Sequence, residues 1–192
     1  LLTEYGTPDA IILRGDESVF LCTDCKACTA LCPAGLAPSE ALQEAKNHLL
    51  MTGRVSDRVF NAVRSLGRFA WWGQTFPFSY YSSGETVFWP GCALAGSRPD
   101  VVLKAVDLLS AYLERPVGMA LDCCFDPAYQ AGDRDAVRSA VQGIRERFRK
   151  HGIRSVVTGC ANCQKIFSDY LPEVNVRHIM EALPSGAFAG MP

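Results

Sequence analysis

The sequence lacks any long apolar run: nothing in its 192 residues approaches the roughly 18 apolar positions that a bilayer span requires. That excludes a transmembrane helix. It also lacks an excess of either charge, since 19 Lys and Arg face 20 Asp and Glu for a formal charge of −1. Without a basic surface, nucleic acid and anionic membrane have no electrostatic claim as partners. The opening stretch LLTEYGTPDA has neither a basic n-region nor an apolar h-region, so no secretory signal is read there. It has no initiator Met either, which reads as a processed or excised piece. A glycine-rich nucleotide loop is missing too, because GDRDAVRSAVQG fails the G-x-G-x-x-G pattern. Any flavin or nicotinamide must therefore belong to a partner. Histidine is scarce, with His48 and His151 expected on helix surfaces and His178 packed or hydrogen-bonded.

Cysteine is what the chain has in plenty. Nine in a chain without a secretory signal argue against a disulfide framework, and the odd number argues the same way. A cytoplasmic location is expected, where thiols stay reduced and serve as metal ligands. They fall in two groups, Cys22, Cys25, Cys28 and Cys32, and then Cys92, Cys123, Cys124, Cys160 and Cys163.

The rest of the pattern divides likewise. PSEALQEAKNHLLMTG carries helix start signals and ends at Gly53, and SDRVFNAVRSLGRF places Val59, Phe60, Val63 and Leu66 on one helical stripe. Residues 69–85, FAWWGQTFPFSYYSSGE, show no clean period and read as a linker whose aromatics pack between two halves or meet a partner subunit. From residue 86 strands and helices alternate. TVFW, VGMALD, IRSVVTG and NVRHI read as strands, and RPDVVLKAVDLLSAYLE, DAVRSAVQGIRERFRKHG and CQKIFSDYL as helices. Such alternation implies a parallel sheet. Arg145, Arg147, Arg149 and Lys150 read as a solvated helix end. The expected fold is therefore α/β (α+β overall): a small helical module over residues 1–68, the aromatic linker 69–85, and a parallel-sheet α/β domain over 86–192.

CTDCKACTALCP spaces its cysteines C-x2-C-x2-C-x3-C and closes them with Pro33, matching the [4Fe-4S] run of bacterial-type ferredoxins. A tight loop at this spacing presents thiolates to the corners of a cubane at once. In two-cluster ferredoxins the fourth cysteine serves the other cluster, so Cys32 either closes its own cluster or another one. Lys26 stands between two ligands, as a solvated loop lysine or as a charge that raises the potential. The stretch from Cys22 to Gly53 resembles the first half of the helical ferredoxin module in heterodisulfide reductase C-type subunits. It is similar as well to the iron–sulfur subunits of glycolate and lactate oxidation systems. Those relatives usually carry the run twice.

The second group follows C-x30-C-C-x35-C-x2-C. On the strand reading, Cys92, the pair Cys123–Cys124 and Cys160 each follow a strand, and Cys163 opens a helix. In a parallel sheet these positions share the carboxyl edge, where open α/β folds bind ligands. The residues alone leave a non-cubane cluster, a cubane on four of the five thiols, a zinc site or a metal-free thiol pair. WPGC, DCCFDP, TGCANC and RHIMEAL resemble the cysteine-rich CCG domain of heterodisulfide reductase B-type subunits, over about residues 86–183. That resemblance implies a non-cubane [4Fe-4S] cluster on the five cysteines, with Cys123 and Cys124 as the catalytic pair. Phe125 stands where the family has Gly, and the usual second copy of the motif is missing. A heterodisulfide-reductase-like electron-transfer subunit is implied, working beside a flavoprotein or other redox subunit, with a disulfide as a possible substrate. The alternatives are an electron conduit for a flavin-linked 2-hydroxy-acid dehydrogenase and a zinc-stabilised scaffold.

Overall fold

The computed structural model describes residues 7–75, 79–82 and 84–183. Residues 1–6 of the expected helical module, 76–78 and 83 of the aromatic stretch, and 184–192 of the expected α/β domain lie outside the described residues. The fold is mixed α/β, with helices and a five-stranded, mostly parallel sheet. The chain forms two compact units, one running to Phe69 and including Pro127–Val137, the other made of Ala70–Asp126 and the residues from Arg138 on.

The first unit begins with α1 (Pro8–Arg14), a 3-10 helix (Glu17–Leu21), α2 (Ala27–Ala30) and α3 (Pro38–Met51). Thr7 Oγ1 accepts from Ala10 N at 3.2 Å and Asp16 Oδ1 from Ser18 N at 2.9 Å, so each entry satisfies a backbone donor that the helix itself leaves open. Pro38 opens α3, where a missing N–H costs nothing. The helix ends because Gly53 takes φ 65°, which lets Arg54 N reach Leu49 O at 2.9 Å and Gly53 N reach Leu50 O at 3.2 Å. Between these ends Leu42, Ala45 and Leu49 line one face and bury against Ile11 and Val19. α4 (Asp57–Gly73) starts in this unit.

Pro127–Val137 comes from the part of the sequence expected in the α/β domain, yet it packs on α3. Asn47 Nδ2 donates to Gly132 O at 2.9 Å, and Arg134 pairs with Glu44. Gly132 has φ 84°, and a Cβ there would stand 2.6 Å from Lys46 Cβ, so only glycine lets the segment lie this close.

In the second unit the strands are β1 (Tyr80–Tyr81), β2 (Thr86–Trp89), β3 (Gly118–Leu121), β4 (Ser155–Thr158) and β5 (Asn175–His178). Their order is β1-β3-β2-β4-β5. β2 pairs in parallel with both β3 and β4, β4 in parallel with β5, and β1 lies antiparallel on β3. The helices are α5 (Cys92–Ser97), α6 (Pro99–Tyr112), α7 (Asp126–Gln130), α8 (Arg134–His151), α9 (Ala161–Tyr170) and α10 (Ile179–Ala182), with α7 and α8 each contributing to both units. All four residues of TVFW are buried, as befits a central strand covered on both faces. Phe88 and Val157 pack with Val102 and Leu109 of α6. On the opposite face Trp89 meets Phe167 of α9 edge-on at 4.7 Å and Phe148 of α8 at 6.1 Å.

The four strands read from sequence are all present, TVFW over its full length and the other three trimmed. Described residues of the stretch 69–85 belong to a helix and a strand. α4 runs on to Gly73, and Tyr80 and Tyr81 form the edge strand β1, paired with Leu121 and Ala120. A two-residue strand has no period to detect, which is why only pairing reveals it. Among the described residues, no helix is long and apolar enough to cross a membrane.

Candidate functional site

The first cysteine group lies on the loop between the 3-10 helix and α3. Cys22 and Cys32 are half-buried and Cys25 and Cys28 exposed. Two non-glycine residues in this loop, Asp24 (φ 52°) and Lys26 (φ 58°), take the left-handed conformation on either side of Cys25. Each costs about 1–2 kcal/mol, which surrounding contacts must offset. The loop is held by Thr29, whose Oγ1 lies 2.7 Å from Ser39 Oγ and accepts from Ser39 N at 3.3 Å. Asp24 N donates to Cys22 Sγ at 3.4 Å, a backbone N–H aimed at sulfur. Lys26 is exposed.

The second group assembles from three neighbouring strand ends. Cys92 follows β2, Cys123 and Cys124 follow β3, and Cys160 follows β4, with Cys163 in the first turn of α9. The order β3-β2-β4 makes these loops adjacent on one edge. Cys92 Sγ lies 3.9 Å from Asp122 O, and the thiols of Cys123 and Cys92, and of Cys163 with Cys124 and Cys160, are near enough to shift one another's pKa. Gly91 explains how the loops come so close. Its φ is 82°, and a Cβ there would stand 2.8 Å from Cys160 Cβ and 3.6 Å from the sulfurs of Cys160 and Cys163. Cys123, Cys124 and Cys163 are buried, Cys160 is half-buried and Cys92 exposed, so solvent reaches the group at Cys92. All nine cysteines are free thiols. Among the described residues, no three or more Cys, His, Asp or Glu side chains gather as ligands of a single ion.

The sulfur contacts shift the thiols in opposite directions. The hydrogen bond from Cys123 holds Cys92 below the ordinary thiol range, whereas that same bond and burial push Cys123 far up. The bond from Cys163, helped by the N–H groups of Asn162 and Cys163, brings Cys160 down to about 5. Cys163, donating to two sulfurs and buried, is pushed well up. Cys160 is thus a thiolate at neutral pH beside the protonated Cys163. A soft, thiol-only donor set of this kind fits iron–sulfur chemistry, and so does the first loop, with four thiols and an N–H directed at sulfur.

Asp122, immediately before the pair, has a fully buried carboxylate. Its Oδ1 accepts from Cys123 N at 2.7 Å; its Oδ2 accepts from the Tyr81 hydroxyl and lies 3.0 Å from the Arg147 guanidinium. Burial pushes the Asp122 carboxyl up against the pull of those partners. Arg147 also sits over the Tyr81 ring at 5.7 Å. This corrects the expectation for Arg147, which is drawn inward from the helix end by a carboxylate that no local pattern announced. Arg145, too, is engaged, with Glu173 at 2.6 Å and Tyr170 O at 2.8 Å. Lys165 pairs with Asp126 at 3.1 Å.

Sequence reasoning missed several of these residues. Gly73 approaches Cys123 so closely that a Cβ would stand 2.6 Å from its Cβ, and Gln74 Nε2 donates to Cys123 O at 2.9 Å. Both lie in the stretch expected to be a linker. Phe125 takes φ 65°, the left-handed conformation natural to the glycine of the resembled family. His178 caps α10, donating its N–H to Glu181 Oε2 at 3.0 Å and accepting from Met180 N at 3.4 Å, in keeping with the hydrogen-bonded role expected of it.

No family model matches the chain, and no solved structure matches it. It is similar to the B-subunit of the fumarate reductase (CoM/CoB) of Methanothermobacter marburgensis, 25% identical over 196 residues. That alignment covers 88% of this chain and 37% of the relative, so the chain spans little more than a third of the relative's length.

Proposed function

We propose that this chain is an iron–sulfur electron-transfer subunit of a heterodisulfide-reductase-like oxidoreductase. Cys22, Cys25, Cys28 and Cys32 hold a [4Fe-4S] cubane. Cys92, Cys123, Cys124, Cys160 and Cys163 hold a second, non-cubane [4Fe-4S] cluster. The observation that carries this reading is that five cysteines, drawn from positions up to seventy-one residues apart, lie at or just beyond three neighbouring strand ends on one edge of a parallel sheet. Similarity to a protein named as part of a reductase supports the oxidoreductase class.

When bound, the clusters supply one-electron redox chemistry. The chain's own part is to fix sulfur positions: Gly91 brings the β2 and β4 loops together, and Asp122 anchors the amide of Cys123. A disulfide substrate takes up two electrons and two protons to give two thiols, and Cys123 and Cys124 are the residues assigned to it. Electrons arrive from a partner, a flavoprotein or another redox subunit. Metal analysis and electron paramagnetic resonance of anaerobically purified protein test the reading, with about eight irons per chain expected. About four irons and one zinc would replace it with the zinc-stabilised scaffold. Reduction of a disulfide by an artificial one-electron donor, lost in Cys124→Ser, tests the catalytic part, and no reduction by the intact protein would leave an electron conduit.

A further inference from the structure

We infer that Lys46, rather than the loop lysine Lys26, is the positive charge that sets the potential of the first cluster, acting while it fastens the carbonyl of Cys22. The inference rests on the reading that Cys22, Cys25, Cys28 and Cys32 hold a cubane.

Lys46 is fully buried, at 0% exposure, although it stands in the middle of a helix. Its Nζ donates to Cys22 O at 2.6 Å and to Gln130 O at 2.9 Å. Both carbonyls belong to the same compact unit as α3. Burying an ammonium costs several kcal/mol, and a methionine would fill the slot without that cost. The charge therefore needs a use beyond packing. Its position supplies one, against the backbone of the first cysteine in the run. Adding one electron to a cluster makes it more negative by one charge, and a fixed cation nearby stabilises that reduced state. Buried charges are screened less than exposed ones, so the charge of Lys46 is felt more strongly than solvent exposure allows for that of Lys26. The two carbonyl bonds add a mechanical role. They join the start of the cysteine loop to the Pro127–Val137 segment through one nitrogen.

The test is a redox titration of the whole chain followed by electron paramagnetic resonance. It compares the wild type with Lys46→Gln, Lys46→Met, Lys46→Arg and Lys26→Gln. Glutamine keeps a hydrogen-bond donor and drops the charge, while methionine drops both. At the wild-type midpoint, both charge-free variants should lower the reduced-to-oxidised ratio of the cubane about tenfold, equivalent to about 59 mV for one electron. Lys46→Arg should stay near the wild type and Lys26→Gln should move less than Lys46→Gln. The second cluster should titrate unchanged throughout. An unmoved cubane midpoint in both charge-free variants, or a larger shift in Lys26→Gln, overturns the inference alone. Should neither charge-free variant fold, Lys26→Gln decides: a tenfold shift there overturns the inference and an unmoved midpoint supports it. A wild type without a cubane signal brings down the underlying reading, and this inference with it.

Discussion

The first cysteine group is local and the second is assembled, and the two place their thiols by different means. In the loop from Cys22 to Cys32, chain neighbours do the work. Left-handed turns at Asp24 and Lys26 swing successive cysteines around, and Thr29 ties the loop to Ser39 at the start of α3. Its thiols are exposed or half-buried. In the second group the sheet does the work. Three parallel strands deliver loops from distant sequence positions to one edge, and three of the five thiols are buried. A spacing motif suffices for the first arrangement; the second depends on every contact that keeps β3, β2 and β4 in order.

The widest separation between them should come from cysteine replacement. Cys25→Ser should remove about four irons and the cubane signal while leaving the second signal, and Cys160→Ser should do the converse. Iron analysis with paramagnetic resonance checks both, and loss of both signals in either variant would show that the sites are not separable.

A smaller contrast lies in the glycines. Gly91→Ala pushes a Cβ to within 2.8 Å of Cys160 Cβ at φ 82°, and should cost roughly 2–4 kcal/mol in denaturant unfolding. Gly35→Ala, in the first loop at φ 64° with nothing within 4 Å, should cost only about 1 kcal/mol. Equal costs would mean that Gly91 serves its own turn and not the approach of the two loops.

Phe125 offers a reversal of sign. Both Phe125→Gly and Phe125→Ala lose the same buried ring, but at φ 65° glycine should be the more stable of the two by about 1 kcal/mol. At an ordinary position alanine wins. Thermal or denaturant unfolding of the pair decides it, and alanine in the lead would remove the argument that this turn needs a left-handed residue.

The smallest effect concerns charge in the metal-free protein. With Cys160 at about 5, its alkylation by a thiol reagent should rise as pH passes 5 and then level off. Cys163, pushed up by its two sulfur partners, should stay slow to well above neutral pH. Mass spectrometry of the labelled peptides reads both, and equal labelling at pH 6 would contradict the division into donor and acceptor thiols.

How much of this could be read from the sequence depended on the range of the cause. The four main strands and the helices α3, α6 and α8 announced themselves through periodicity and caps, because Val137, Val141, Ile144 and Phe148 repeat at helical spacing. The shared strand edge followed from alternation alone. What stayed hidden was long-range and polar. Lys46 looks like a surface lysine in QEAKNHLL until the carbonyls of Cys22 and Gln130 are seen around it. Asp122, Tyr81 and Arg147 come from a strand end, an edge strand and a helix, with no common spacing to connect them. The docking of Pro127–Val137 on α3 was invisible for the same reason. The residues that fasten it include Gly132, Asn47, Arg134 and Lys46.

With β2 set between β3 and β4, the strand ends that carry the second cysteine group stand at a spacing that the sheet itself sets. Adjacent strands stand about 4.8 Å apart, a pitch fixed by peptide bonds and indifferent to side-chain identity. The outer two cysteine-bearing loops therefore start roughly 10 Å apart, whatever they go on to hold. On the reading proposed above, filling the second site would resemble seating a part in a machined fixture, whereas the loop from Cys22 to Cys32 would have to wrap its cargo.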